Sequence, residues 1–332
     1  MSEKPRVLLL NPTCLDVVDS HQDWLAQLPI DLDAKQSYRQ ITQPQLRLLM
    51  NEAEGIIFSH TAKRPIRAQW LGESSRLRVI SLAASGYDGL DLNAATSAGI
   101  VVTNVTVPEG AEVVADMAWG LMLAVGRQIL QHDRQIRAGN LQRGMGTTPW
   151  RKTLGIVGLG NIGRAVVRRA VGFEMQLLAT EPYPDHDFVD KMGIELVELE
   201  ELLARSDFVS LHMRLNDETK GLIEYEKLKR MKPSAFLINS ARRDLVVEDD
   251  LDRALAENRL AGAGLDDPPL DLQSPLLKRE NVVFTTHLGN RARVGVDAVF
   301  RCAVQNAVDV LTGGECSSIV NPDVLRQNRS TF

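Results

Sequence analysis

The sequence predicts an α/β protein of two Rossmann-like, doubly wound parallel-sheet domains, one of them inserted into a flavodoxin-like partner. Three observations predict it. Short apolar runs alternate with helical patterns along nearly the whole chain, as in strand–helix–strand units that cover both faces of a parallel sheet. A Gly-x-Gly-x-x-Gly turn, at Gly158, Gly160 and Gly163, lies mid-chain rather than near the start. The last helical pattern, Val294–Leu311, follows a complete second unit and is too short to stand alone, so it is expected to cross back to the first. The domains are therefore drawn as 1–107, 108–291 with the glycine turn, and a returning segment, 292–332.

In the first domain, strands are expected at Val7–Leu10, Gly55–Ser59, Arg78–Leu82 and Ile100–Thr103, with helices such as Gln43–Glu52 and Ala68–Ser74 between them. Near-continuous apolar runs suit strands buried on both faces. One long amphipathic helix is expected from Glu112 to Ala138, and its Ala/Leu/Met stripe reads as core or dimer surface. A Gly- and Pro-containing stretch, Gly139–Pro149, leads into strand Thr153–Val157, helix Ile162–Arg169 and strand Gln176–Thr180. Further strands are expected at Asp207–His212, Ala235–Asn239, Ala261–Leu265 and Val282–Thr286, with helices near Leu199–Ala204, Tyr225–Met231 and Val247–Glu257.

The segment Thr153–Arg164 carries the chemistry of a dinucleotide site. Gly158 permits the tight strand-to-helix turn, Gly160 lets backbone N–H groups approach a pyrophosphate, and Gly163 lets the helix lie close on the strand. The helix N-terminus, from Asn161 and Ile162, offers unpaired N–H donors and partial positive charge to a diphosphate. Glu181 ends the next strand, eighteen positions after Gly163. Its carboxylate can accept ribose hydroxyls and would repel a 2′-phosphate, so NAD is the expected cofactor rather than NADP.

The 332 residues suggest about two domains. A net charge of −5 and the lack of a long basic run argue against nucleic acid and anionic membranes as partners. Cys14, Cys302 and Cys316 are far apart, so neither a disulfide framework nor a metal site is expected. The N-terminal run Val7–Leu10 is too short for a signal-peptide core and Met117–Val125 too short to span a bilayer; a cytoplasmic protein is expected.

Several further segments, in order, closely resemble the D-isomer-specific 2-hydroxyacid dehydrogenases, particularly glyoxylate and hydroxypyruvate reductases. They are Ala84-Ser-Gly-Tyr-Asp-Gly-Leu-Asp91, Val101–Val105, Val113-Val-Ala-Asp116, the glycine turn, Leu211–Asn216, Met231–Arg242, Ala261–Asp266 and Thr285-Thr-His-Leu-Gly289. The resemblance implies hydride transfer between NADH and a small 2-keto acid or D-2-hydroxy acid, in a homodimer. It assigns Arg242 to the substrate carboxylate and carbonyl, where its charge is fixed and its guanidinium fork is suited to the task. It assigns His287 to the proton, because imidazole changes charge near neutral pH. It places the backbone of Ala84, Ser85 and Gly86 on the substrate, and Asp266, Ala241 and His212 near the cofactor. His60 is a weaker candidate, expected to face solvent.

Two departures from the family pattern stand out. The acid expected to partner the histidine is a glutamate in the family and Asp271 here, in a shortened segment; Asp267 is the alternative. A glycine usually follows the catalytic arginine, whereas here Arg243 does; it would either narrow the pocket or add a second cation, favouring a dicarboxylate or other more anionic substrate. The start of the long helix also reads Val-Ala-Asp116-Met117 where the family has Val-Ala-Glu-His. Alternatives to the enzyme are an NADH-binding protein like the corepressors that share this fold, or a catalytically impaired paralogue.

Overall fold

Two all-parallel sheets organise the chain. The computed structural model describes residues 3–58 and 66–329; His60 and the end of the strand expected at Gly55–Ser59 lie outside them. The chain divides into two compact units, Met1–Gly110 with Arg291–Phe332, and Ala111–Asn290. The first boundary falls inside a helix, Pro108–Gly126, rather than ahead of it.

The first unit has strands β1 (Arg6–Leu9), β2 (Asp31–Asp33), β3 (Gly55–Phe58), β4 (Val79–Leu82) and β5 (Val101–Thr103), in the order β2-β1-β3-β4-β5. This is the flavodoxin-like order. β2 gave no apolar run because it is a three-residue edge strand with acids at both ends. It is tied to β1 by Arg6, whose guanidinium lies 2.8 Å from Asp33. Helix Arg293–Thr312 belongs to this unit, and it buries Val299, Phe300, Ala303, Val304, Ala307 and Leu311 in the core. Three- and four-residue steps put these side chains on one stripe, and each large aliphatic or aromatic one contributes about 1.5–3 kcal/mol on burial. The Ser81 hydroxyl fastens β4 to that helix through the Ala303 carbonyl at 2.8 Å. Asn321 secures the tail beside β5: its side chain accepts the Val102 amide and donates to the Ile100 carbonyl.

The second unit has strands β6 (Thr153–Val157), β7 (Gln176–Thr180), β8 (Ile194–Leu196), β9 (Phe208–Leu211), β10 (Phe236–Asn239), β11 (Gly262–Leu265) and β12 (Val282–Phe284). Their order is β12-β11-β10-β9-β6-β7-β8, with the reversal between β6 and β9 that marks the ligand-binding edge of doubly wound sheets.

The single helix expected from Glu112 to Ala138 is two helices, Pro108–Gly126 and Ile129–Arg137, meeting at 57°. Gln128 sits between them with φ +54°. The Gly126 carbonyl accepts the Thr147 amide at 2.7 Å, and the chain returning through Gly146 crowds the same turn. Hydropathy alone carries no signal for this break. The first helix is largely buried. Among the described residues no single helix is long and apolar enough to cross a membrane.

Candidate active site

All seven strands of the second sheet run parallel, so the segments following β6, β7, β9, β10, β11 and β12 emerge at one edge. Those segments carry the glycine turn, Glu181, His212, Ser240–Arg243, Asp266–Asp267 and Thr285–Gly289.

The glycine turn fits a diphosphate. Gly158 has φ +95°, and a Cβ there would lie 2.9 Å from the His212 carbonyl carbon. At Gly163 a Cβ would lie 2.2 Å from the Gly158 oxygen, so only glycine lets the helix Asn161–Ala170 come this close. Gly160 caps that helix without a side-chain hydrogen bond, and nothing lies within 4 Å of the position its Cβ would take. Amides at an uncapped helix start beneath open space form an anion cradle. Asn161 is exposed and Ile162 half-buried at this start. Glu181 closes over the turn: its carboxylate accepts the Leu159 amide at 2.8 Å and the Tyr183 amide at 3.2 Å. Each oxygen keeps accepting capacity for a ribose hydroxyl. Arg164 braces the turn from below by donating to the Leu159 carbonyl at 3.0 Å and to Asp185 at 2.7 Å.

His212 lies beside the turn. Its Nε2 is 2.8 Å from the Ser210 hydroxyl, while its Nδ1 is buried without a partner. Burial pushes its pKa down to about 3, so the ring is neutral. An orphaned ring nitrogen at this edge fits contact with a bound polar group.

After β10, Asn239 brackets the next turn. Its side chain accepts the Ala241 amide at 3.0 Å and donates to the Arg242 carbonyl at 2.7 Å, holding Ser240, Ala241 and Arg242 at the sheet edge. Sequence reasoning passed over Asn239, although an asparagine ending a strand is a turn-forming signal.

Asp266 is 2% exposed, and its carboxylate is already occupied. It accepts the Thr285 hydroxyl at 2.5 Å and the amides of Leu288 and Gly289, each at 2.8 Å. These contacts fold the segment after β12 into a loop in which His287 has φ +57°, a left-handed conformation that L-residues adopt only under constraint. The expected cofactor residue is thus also the brace of the histidine loop. The thioether of Met117 lies 3.9 Å from the Thr285 hydroxyl, which accounts for the apolar residue at that helical position, and Asp116 is paired with Arg169 at 2.7 Å.

The histidine's acid is a point of correction. Asp271 is exposed and its carboxylate accepts the Gln273 amide at 2.8 Å within its own turn. The shortened segment instead brings in Asp267, whose Oδ1 lies 3.6 Å from His287 Nδ1. Arg243 is corrected with it. Its guanidinium donates to Asp267 Oδ1 at 2.7 Å and to the Pro268 carbonyl at 2.6 Å, and its amide donates to Asp267 Oδ2 at 3.1 Å. It is committed to this acid rather than standing as a second cation for substrate. Burial acts to raise the Asp267 pKa, but His287, the Arg243 amide and the Arg243 charge outweigh it and hold the carboxyl below the usual range.

Ala84, Ser85 and Gly86 belong to the first unit and follow β4. The Ala84 carbonyl accepts the Val105 amide at 3.0 Å and the Ser85 carbonyl accepts the Asn104 side chain at 2.8 Å, which fixes the loop.

Sheet order, glycine turn and Glu181 together define a dinucleotide-binding protein of the Rossmann type. Residues 119–289 match the model of the D-isomer specific 2-hydroxyacid dehydrogenase NAD binding domain. A glyoxylate reductase of Korarchaeum cryptofilum is 38% identical over 271 residues, covering 79% of this chain and 81% of that protein. A glyoxylate/hydroxypyruvate reductase B of Yersinia enterocolitica is 35% identical over 86% of this chain and 89% of its own length. The crystal structure of a glyoxylate reductase from Paecilomyes thermophila matches with a TM-score of 0.83 at 27% identity, over 97% of this chain and 100% of that one. The chain belongs to the D-isomer specific 2-hydroxyacid dehydrogenase family, and it is an oxidoreductase whose cofactor is NAD.

Proposed function

We propose that the protein reduces small 2-keto acids with NADH to 2-hydroxy acids, of D configuration where the product is chiral, with glyoxylate and hydroxypyruvate as first candidates because they name its relatives. The observation that carries this reading is the shared carboxylate at the sheet edge. Asp267 joins the histidine loop to the segment that bears Arg242.

When bound, the nicotinamide supplies the hydride. Arg242 holds the substrate carboxylate and polarises its carbonyl with a charge it cannot lose. The backbone of Ala84, Ser85 and Gly86 adds N–H donors to the carboxylate. His287 Nε2 gives its proton to the carbonyl oxygen in reduction and takes it back in oxidation, with Nδ1 turned toward Asp267. The glycine turn and the Asn161–Ile162 helix start hold the diphosphate, Glu181 the adenosine ribose, and Ala241, Asp266 and His212 the nicotinamide end. With Arg243 paired, monocarboxylates are favoured over diacids. Asp267 beside His287, with Arg243 paired to it, supports the competent enzyme over the impaired paralogue that Asp271 and Arg243 suggest.

We also propose a cytoplasmic homodimer. The dimer is supported by apolar side chains left exposed on helix Ile129–Arg137 and the stretch after it: Ile136 (60% exposed), Leu141 (79%), Met145 (93%) and Trp150 (51%). The compartment is supported by three free cysteines. NADH consumption over a panel of glyoxylate, hydroxypyruvate, pyruvate, phenylpyruvate, oxaloacetate and 2-oxoglutarate tests the activity. Turnover of a small monoacid, reduced by about 10²–10⁴-fold in both Arg242→Ala and His287→Ala, is expected. An inert wild type, or full activity in either variant, overturns the assignment.

A further inference from the structure

We propose that Arg243 is a positioning residue for proton transfer: it grips Asp267 beside His287 and shares the charge of that carboxylate. The inference rests on the reading in which His287 carries the proton.

Two donors of Arg243 hold the acid and a third holds the backbone beside it. The Arg243 amide holds Oδ2 at 3.1 Å, its Nη2 holds Oδ1 at 2.7 Å, and its Nη1 holds the Pro268 carbonyl at 2.6 Å. The guanidinium therefore clamps both the carboxylate and the Asp267–Pro268 backbone that carries it. Asp267 is only 11% exposed at its side chain, so it has little water to turn toward. His287 Nδ1 meets the same Oδ1 at 3.6 Å, ion-pair range but beyond a hydrogen bond. One carboxylate oxygen thus serves two cations, one permanent and one that comes and goes with the proton. An acid that already neutralises a guanidinium favours imidazolium less than an acid serving the histidine alone. Arg243 accordingly fixes the carboxylate that the His287 ring faces and takes part of its charge.

Lys220, Asp244 and Glu248 line, with Arg243 and Asp267, a cavity of about 240 Å³ whose walls are largely Val246, Val247, Leu251 and Leu276. Glu248 is engaged by the Ser274 hydroxyl at 2.5 Å, and Lys220 is exposed. Asp266 is taken up by the histidine loop, Asp271 by its own turn, and Arg242 is a chain neighbour of the clamp. None of them replaces Arg243 at Asp267.

The test is an NMR titration of the His287 imidazole in cofactor-free protein, alongside the pH profile of kcat/KM. Arg243→Met keeps the amide clamp and removes the charge. It should move the histidine midpoint, and the alkaline limb of keto-acid reduction, to higher pH by about half a unit. It should also lower kcat about tenfold with little change in KM, as the acid loosens. Arg243→Lys should return the midpoint to the wild-type value. Asp267→Asn should move it the opposite way, to lower pH, and Asp267→Glu should restore its direction. Midpoints moving the same way in Arg243→Met and Asp267→Asn, or unmoved in Arg243→Met, overturn the proposal. A wild type that turns over no 2-keto acid overturns the reductase reading instead, because the titration needs no turnover.

Discussion

The main-chain carbonyl of Asp266 accepts the amide of His287 at 2.5 Å, while the Asp266 carboxylate takes the amides of Leu288 and Gly289 at 2.8 Å. The histidine's left-handed backbone is thus imposed by the residue that follows the neighbouring strand. Asp266→Ala would strand the buried Gly289 amide and leave the part-buried Leu288 amide and Thr285 hydroxyl without their acceptor. Each unsatisfied group costs about 1–3 kcal/mol, so a loss of about 2–5 kcal/mol in urea unfolding is expected, with kcat falling at least about tenfold. Wild-type stability in this variant would show that the loop is held by something else.

Gly163→Ala should be worse for the cofactor than for the fold. The added methyl meets the Gly158 oxygen at 2.2 Å, so the helix start must move away from the strand. NADH affinity should fall at least about tenfold, since displaced N–H groups no longer converge on the diphosphate. Fluorescence titration with NADH checks it, and unchanged affinity would refute the cradle.

Glu181 should decide between the two nicotinamide cofactors. Its carboxylate is pinned by the Leu159 and Tyr183 amides and cannot swing away from a 2′-phosphate. The wild type should bind NADH at least about tenfold more tightly than NADPH, and Glu181→Ser should narrow that ratio, partly by weakening NADH. Equal dissociation constants in the wild type would contradict this role.

The half-buried His212, whose Nδ1 is sealed from solvent, makes stability depend on pH. Its ordinary value is 6.5 and the folded value is about 3. Below pH 6.5 the unfolded chain binds a proton that the folded chain refuses. The stabilisation is therefore fully present above pH 6.5 and is lost as pH falls toward 3. One proton corresponds to about 1.4 kcal/mol per pH unit, or about 2 kcal/mol between pH 6.5 and 5. Urea unfolding at both pH values should show this slope in the wild type and a shallower one in His212→Gln. Identical slopes would mean that the ring takes up its proton in the folded state.

Much of the fold was legible because buried parallel strands are apolar on both faces, and β1, β3, β4 and β6 announce themselves as runs. The glycine turn, Glu181, Arg242 and His287 carry chemistry in their identity and spacing. Elements held by their neighbours were not legible. β2 is acidic and owes its place to Arg6, and the helix break at Gln128 depends on Thr147, nineteen residues away. The acid beside His287 was misplaced for a related reason. The family pattern points to Asp271, but in a shortened segment the position is set by what the carboxylate can reach, and Arg243, a departure in its own right, selects Asp267.

The configuration of the product tests the central claim most directly. Hydroxypyruvate incubated with purified protein and NADH, with the glycerate resolved by chiral chromatography, should yield D-glycerate alone, and almost none with His287→Ala. L-glycerate, or D-glycerate formed equally well without His287, would contradict the account.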